Sequence, residues 1–156
     1  MTPAIEQLVA AGIEHEVLTY EHDPDAESYG LEAARALGLD PATVFKTLVV
    51  TDPGGALAVG VVPVAARLDL KAMAAAVGAK RVELADPTVA SRRTGYVVGG
   101  ISPFGHKHPS PTVVDEWATV CERVHVSGGR RGLEVAVAPE AFVTLLAATF
   151  APIAAW

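Results

Sequence analysis

Apolar residues follow two different spacings along the chain, and the changes between them mark predicted helices and strands. Apolar side chains three and four residues apart predict amphipathic helices, and short β-branched runs predict strands. Glycine follows four of the five predicted helices, as expected for helix ends. The predicted helices cover residues 3–11, 28–37, 69–77, 87–94 and 139–150. The predicted strands cover residues 15–20, 44–50, 56–62, 80–84, 96–98, 112–115, 119–126 and 133–137.

The two most strand-like runs, residues 44–50 and 56–62, are separated by the turn-forming sequence Asp-Pro-Gly-Gly. This spacing predicts an antiparallel hairpin at the centre of the sheet. No internal repeat or linker divides the chain. We therefore expect one α/β (α+β) domain over residues 1–156, with a mixed, largely antiparallel sheet surrounded by short helices.

One lysine interrupts the first strand of this hairpin. Because side chains alternate along a strand, Lys46 shares a face with Val44, Leu48 and Val50. An unpaired ammonium group is costly to bury, so Lys46 is expected to face a carboxylate, a ligand or an open cleft. The alternative is that it lies near a strand end and extends its amine to water.

A second candidate site follows the predicted strand at 96–98, where the chain runs into paired glycines, a serine and a proline. Glycines allow close approach of the backbone to a ligand, and successive amide groups in such a bend can bind an oxyanion or a carbonyl oxygen. Most glycine pairs are simple turns, so this stretch supports a binding site only if it lies beside Lys46.

Charge is distributed unevenly. The net charge is −6, but residues 1–66 carry −8, residues 67–131 carry +4 and residues 132–156 carry −2. A partner bearing phosphate could meet the basic part of this acidic protein, because the local field steers association. Scattered solvated charges are the equal alternative.

The cysteine content and the hydropathy of the chain limit which kinds of site and which classes of protein are possible. Cys121 is the single cysteine, which excludes an internal disulfide and a cysteine-cluster metal site, and it lies in an apparent strand. No segment reaches the length of a membrane span, and the N-terminus lacks a signal peptide, so we expect a soluble cytoplasmic protein.

Two further motifs allow more than one interpretation. His106 and His108 could bind a metal from a strand, but the following Pro-Ser-Pro favours an exposed loop, and no third ligand is evident. The basic turn at residues 127–132 could hold a phosphate through amides and arginines, or could be a plain hairpin turn. No metal or cofactor is expected.

Six motifs together resemble the YbaK branch of the YbaK/ProX aminoacyl-tRNA editing superfamily, in order and over nearly the whole chain. They are YEHDP at 20–24, VFKTL at 44–48, LDLK at 68–71, ADP at 85–87, TGYVVGGISP at 94–103 and SGGRRGL at 127–133.

The resemblance implies a free-standing deacylase that removes cysteine mischarged onto proline tRNA, acting on the 3′ acceptor end, with prolyl-tRNA synthetase as a candidate partner. It implies that the substrate's own thiol attacks the ester, releasing a cyclic thioester. Lys46 would orient the ester, and the amides of Gly99, Gly100 and Ile101 would stabilise the oxyanion. The implied substrate-binding residues are Tyr20, Tyr29, Thr47, Arg92, Ser102, Pro103, Ser127, Gly128, Gly129 and Glu134.

This chain departs from the expected pattern at two positions. Glu134 stands where the resemblance predicts an aspartate, so its carboxylate reaches one methylene further. Tyr29 stands where a phenylalanine is expected and adds a hydroxyl to a pocket wall. The accepted range of amino acids depends on the change at Glu134, whereas the change at Tyr29 is milder.

Three other functions stay open. A broader deacylase would also cleave seryl or alanyl esters. A lysine in an apolar strand is also typical of a Schiff-base enzyme, although no phosphate-cradling helix start lies beside Lys46. A non-catalytic module that binds aminoacyl-tRNA or a synthetase would use the same fold and pocket.

Overall fold

The structure is a computed structural model that describes all 156 residues. The helices are α1 (Pro3–Ala10), α2 (Tyr29–Leu37), α3 (Leu70–Val77), α4 (Pro87–Thr94), α5 (Glu140–Leu146) and a 3₁₀ helix (Glu116–Val120). The strands are β1 (His15–Thr19), β2 (Phe45–Thr51), β3 (Leu57–Pro63), β4 (Arg67–Leu68), β5 (Glu83–Leu84), β6 (Thr112–Asp115), β7 (Val124–Ser127), β8 (Leu133–Val137), β9 (Thr149–Ala151) and β10 (Ala154–Ala155).

Helix boundaries follow local capping chemistry. The side chains of the residues before α1 to α4 each accept a hydrogen bond from an amide of the first turn, and three of these helices end at a left-handed glycine. The predicted boundaries of these four helices are confirmed to within one residue. The capping residues are Thr2, Ser28, Asp69 and Asp86 at the starts, and Gly38, Gly78 and Gly95 at the ends.

The strands form a five-stranded sheet in the order β5-β2-β3-β6-β9, a three-stranded sheet in the order β1-β8-β7, and the pair β10-β4. The central β2–β3 hairpin is antiparallel over its whole length, as predicted. Only the β3–β6 and β6–β9 pairings are parallel. The expected α/β fold with a mixed, largely antiparallel sheet is thus confirmed.

The prediction for the C-terminus is wrong beyond Leu146. Ala147 adopts a left-handed conformation with φ of 51°, which ends α5. The following residues pair with β6, so Phe150 lies in β9 rather than in a helix. Pairing with the open edge of the sheet outweighs the helical spacing of the apolar residues there.

Three predicted strands are shorter or absent. Residues 96–98 form a turn instead of a strand, because the amide of Gly100 bonds to the carbonyl of Val97 at 2.9 Å. Of residues 80–84, only Glu83–Leu84 pair. Of residues 119–126, only the last three are in β7, since the 3₁₀ helix takes up the start and Cys121 caps that helix.

The core lies on both faces of the five-stranded sheet. On one face α1, α5 and the three-stranded sheet pack around the stacked rings of Phe104 and Phe142, whose centroids are 5.3 Å apart. On the other face α3 covers a smaller cluster around Met73 and Ile153. No helix has the length and apolar character needed to cross a membrane.

A buried carboxylate fixes the C-terminal segment to this core. Asp115, 3% exposed at the end of β6, accepts hydrogen bonds at Oδ1 from the amides of Ile153 (3.0 Å) and Ala154 (2.8 Å). Its Oδ2 accepts from the amide of Trp117 at 3.0 Å. One side chain therefore holds both the 3₁₀ helix and β10 in place.

Replacing Asp115 with alanine should lower the free energy of unfolding by about 3 kcal/mol, because three amides lose a charged acceptor. Urea denaturation monitored by far-UV circular dichroism measures the loss. The neighbouring Glu116→Ala variant, at an exposed position, should change the stability by less than about 0.5 kcal/mol. Equal losses of stability in the two variants would show that the hydrogen bonds accepted by Asp115 do not stabilise the fold.

Candidate functional site

A well-formed cavity lies where β2 faces the three-stranded sheet. Its volume is about 420 Å³. The remaining walls come from the start of α2, the start of α4 and the loop after α4. The sequence-predicted site residues that line it are Tyr20, Tyr29, Lys46, Thr47, Gly99, Ile101, Ser127 and Glu134.

The β2 wall presents an open strand edge. Just before β2 the carbonyl of Val44 accepts from Val64, on the β3 side, whereas the carbonyl of Val49 within β2 accepts from Ala85, on the other side. Peptide groups alternate between the two edges of a strand, so those of Thr47 point away from β3. Strand β5 pairs only with Val50 and Thr51, which leaves the Thr47 peptide groups free beside the cavity.

Lys46 is half-buried and has no ion pair or hydrogen bond in the structure. Burial, and then the positive charge of Arg67, lower the pKa of Lys46. Of the three neighbours that the sequence allowed for this lysine, the structure shows an open cleft. An ammonium group in such a place is available to an electron-rich group of a ligand.

A carboxyl group lies on the opposite wall. Strand pairing sets Glu134 between Leu18 of β1 and Ser127 of β7. Glu134 is 6% exposed, its Oε2 atom has no hydrogen-bond partner, and burial raises its pKa to about 8. Burial also raises the pKa of Tyr20, with a smaller contribution from the charge of Glu134. This end of the cavity is polar but carries no paired cation.

The glycine loop has two unpaired amides at residues that line the cavity. Gly99 and Ile101 both line it, and their N–H groups have no acceptor in the protein. The amide of Gly100, in contrast, donates within its own turn to Val97. Of the three amides predicted to hold an oxyanion, the structure therefore leaves two available.

The other predicted site residues do not line the cavity. Ser102 and Pro103 are buried behind the loop, and Arg92 is exposed on α4. Gly128 and Gly129 give shape to the basic turn, where a Cβ atom would contact Leu133 at 2.7 Å and Tyr96 at 2.8 Å, respectively. The substrate-binding roles of these residues and of Gly100 stay predictions.

The loop expected at residues 106–108 is confirmed, and Lys107 and His108 are exposed in it, but the exposure expected of His106 is wrong. It is partly buried, with Nε2 2.6 Å from the carbonyl oxygen of Ser102, so it supports the glycine loop from behind. Burial lowers the pKa of His106. The spacing of His106 and His108 allows a metal site. The contact of His106 with Ser102, in contrast, depends on how the loop folds and has no signal in the sequence.

Sequence reasoning also missed part of the wall. Apart from Glu27, the missed lining residues are small or apolar and have no chemical signature, although the Asp-Pro start of α4 marked the right region. They include Ser28, Gly30, Leu84, Ala85, Pro87, Ala90 and Val98.

Comparison with known proteins assigns the chain to a family. The model of the aminoacyl-tRNA editing domain matches residues 23–145. The chain belongs to this family. It is also 37% identical over 149 residues to the "Putative Cys-tRNA(Pro)/Cys-tRNA(Cys) deacylase EbsC" of Enterococcus faecalis (strain ATCC 700802 / V583), covering 96% of this chain and 88% of that protein.

Solved structures agree with the fold of an editing domain. The hypothetical protein APE2540 superposes with a TM-score of 0.88 at 27% identity, covering 99% of this chain and 100% of the other. A structure described as a "putative trans-editing enzyme for prolyl tRNA synthetase" gives a TM-score of 0.80 at 24% identity, covering 100% and 99%, respectively. The second likeness supports the fold alone.

The buried carboxyl of Glu134 should make stability depend on pH. Its pKa is about 8 in the folded protein, whereas the ordinary value for glutamate is 4.5, so between these values the folded state holds a proton that the unfolded state releases. The stabilisation is complete below the lower value and is lost as the pH rises through the upper one.

Glu134→Gln removes this titration, so the variant should gain stability relative to the wild type as the pH rises from about 5 to about 9. Thermal unfolding across this range measures the difference. Glu140→Gln, at an exposed position on α5, controls for the loss of a charge. A difference between Glu134→Gln and wild type that stays constant with pH would contradict the raised pKa.

Proposed function

We propose that this editing domain is a deacylase that removes cysteine from Cys-tRNA(Pro). The observation that carries the proposal is the composition of one cavity, which holds an unpaired lysine, two free amides and an unpartnered carboxyl. An aminoacyl ester offers a carbonyl, a ribose and an α-ammonium group to such a cavity. The resemblance of the chain to a protein named as a Cys-tRNA deacylase supports the same substrate.

The single thiol of the protein is not placed to act as the nucleophile. Cys121 does not line the cavity, and burial raises the pKa of its thiol, which disfavours the reactive thiolate. In the proposed reaction the cysteinyl sulfur of the substrate forms a bond to its own ester carbonyl carbon. The bond from that carbon to the ribose oxygen breaks, the ribose oxygen takes up the proton that the thiol loses, and cysteine leaves as a cyclic thioester that water then opens.

The chain supplies orientation and electrostatic stabilisation for this reaction. The ammonium group of Lys46 orients the ester, and the amides of Gly99 and Ile101 stabilise negative charge that develops on the carbonyl oxygen. Because these amides are already unpaired, they need no rearrangement before the reaction.

Glu134 is the proposed partner of the substrate amino group. Its unpartnered oxygen lies on the opposite wall from β2, and the ionised form of the carboxyl would pair with an ammonium group. Binding the ammonium group lowers the pKa of the carboxyl again, since a nearby positive charge favours the ionised form.

The proposed partner in the cell is the 3′ acceptor end of aminoacyl-tRNA in the cytoplasm. A cavity of this size holds only the terminal part of a tRNA, so recognition of the tRNA body requires other contacts. Prolyl-tRNA synthetase is the proposed source of that selectivity, since it produces the mischarged ester.

Single-turnover deacylation of Cys-tRNA(Pro), Ala-tRNA(Pro) and Ser-tRNA(Pro) tests the proposal. The wild type should release cysteine rapidly and leave the alanyl and seryl esters, which have no thiol. Lys46→Ala should slow the release of cysteine by about 100-fold, the effect typical of losing one electrostatic group at an active site. Lys71→Ala, at an exposed position on α3, should keep full activity.

Other outcomes would assign a different function. Equal cleavage of all three esters would replace the substrate-thiol mechanism with a broader deacylase that uses water. Binding of the three tRNAs without cleavage would show a non-catalytic module. An unchanged rate in Lys46→Ala, with Cys-tRNA(Pro) still cleaved, would remove the lysine from the mechanism.

A further inference from the structure

The basic turn between β7 and β8 sets one arginine against two residues that line the cavity. An Nη atom of Arg131 donates a hydrogen bond to the carbonyl oxygen of Val98 at 2.6 Å. The guanidinium carbon also lies 4.3 Å from the centre of the Tyr29 ring. Arg131 therefore joins the basic turn, the glycine loop and the start of α2.

The contact with Val98 orients a peptide group that the cavity uses. The peptide bond between Val98 and Gly99 is trans, so its C=O and N–H point in opposite directions. With the carbonyl held by Arg131, the amide of Gly99 points away from the arginine, and Gly99 lines the cavity. The direction of one free amide is thus set from outside the cavity.

A cation on the carbonyl also changes the strength of this amide as a donor. A hydrogen bond to one end of a peptide group polarises it and strengthens the hydrogen bond formed at the other end. The positive charge of Arg131 on the Val98 oxygen therefore makes the Gly99 N–H a better donor to negative charge.

Packing around Gly99 fixes the position of the guanidinium. A Cβ atom on Gly99 would lie 2.6 Å from the Tyr29 ring and 2.7 Å from Nε of Arg131, and the residue has φ of +89°. Only glycine fits between these two side chains. The tyrosine ring attracts the guanidinium through a cation–π contact, which keeps it against the loop.

We propose that Arg131 is a positioning residue for the oxyanion donor at Gly99. It acts through the Val98–Gly99 peptide group and does not touch the reacting atoms. This inference rests on the proposed deacylase function. The competing role for Arg131 is a direct contact with a tRNA phosphate.

Three variants separate the two roles: Arg131→Ala, Arg131→Lys and Arg130→Ala. Arg130 is an exposed neighbour whose side chain makes no hydrogen bond or ion pair in the structure. Single-turnover deacylation of Cys-tRNA(Pro) at increasing enzyme concentration gives the maximal rate and the half-saturating concentration for each variant, at low and high salt.

Arg131→Ala should lower the maximal rate by about 100-fold, as expected when an oxyanion donor is lost, with little change in half-saturation or its salt dependence. Methylguanidinium added to this variant should restore part of the rate. Arg131→Lys should be intermediate, because an ammonium group can donate to Val98 but lacks the planar fork. Arg130→Ala should keep the wild-type maximal rate.

A raised half-saturating concentration that depends on salt, with an unchanged maximal rate in Arg131→Ala, would overturn the proposal in favour of a phosphate contact.

A measurement without tRNA distinguishes this failure from failure of the proposed function. The amide resonance of Gly99 in ¹⁵N-labelled protein should shift in Arg131→Ala and stay in place in Arg130→Ala. If the wild type cleaves no ester, a shifted resonance upholds the orienting contact while the deacylase function fails, and an unshifted one overturns both.

Discussion

Strand β2 is paired along the whole of one edge and over only two residues of the other, and the site depends on this imbalance. A fully paired β2 would close the cavity. The short β5 leaves the edge near Thr47 open, and the three-stranded sheet stands across from it, joined at the bridge between Val44 and His125. The resulting gap brings the lysine of one sheet opposite the carboxyl of the other.

The gap also concentrates unsatisfied polar groups. The buried side-chain atoms without a partner are Oγ1 of Thr47 and Oε2 of Glu134, and both residues line the cavity. Each such atom costs about 1–3 kcal/mol in the folded protein. A ligand that satisfies them recovers this energy on binding, so these two atoms contribute to the binding free energy.

Elements bounded by local chemistry could be predicted from the sequence. The Thr, Ser and Asp caps and the glycine stops gave the boundaries of α1 to α4, and the Asp-Pro-Gly-Gly turn gave the central hairpin. The alternation of side chains singled out Lys46. Each of these signals lies within a few residues of the structure that it determines.

Features that depend on distant partners could not be predicted in this way. The left-handed Ala147 carries no sequence signal, and β9 forms because the edge of β6 is available. The burial of Glu134 follows from three strands brought together by the fold. The contact of Arg131 with Val98 joins residues 33 positions apart, so composition marked the turn as basic without showing its target.

Contacts made by the first helix and its capping residue limit when the site can form during synthesis of the chain. The Thr2 hydroxyl donates to the carbonyl of Gly128, and Gln7 accepts from the amide of Gly105. These contacts span 126 and 98 residues, so α1 leaves the ribosome long before the two loops that it supports. Because such distant pairs form only after both partners are available, the cavity can reach its final shape only after residue 128 has been synthesised.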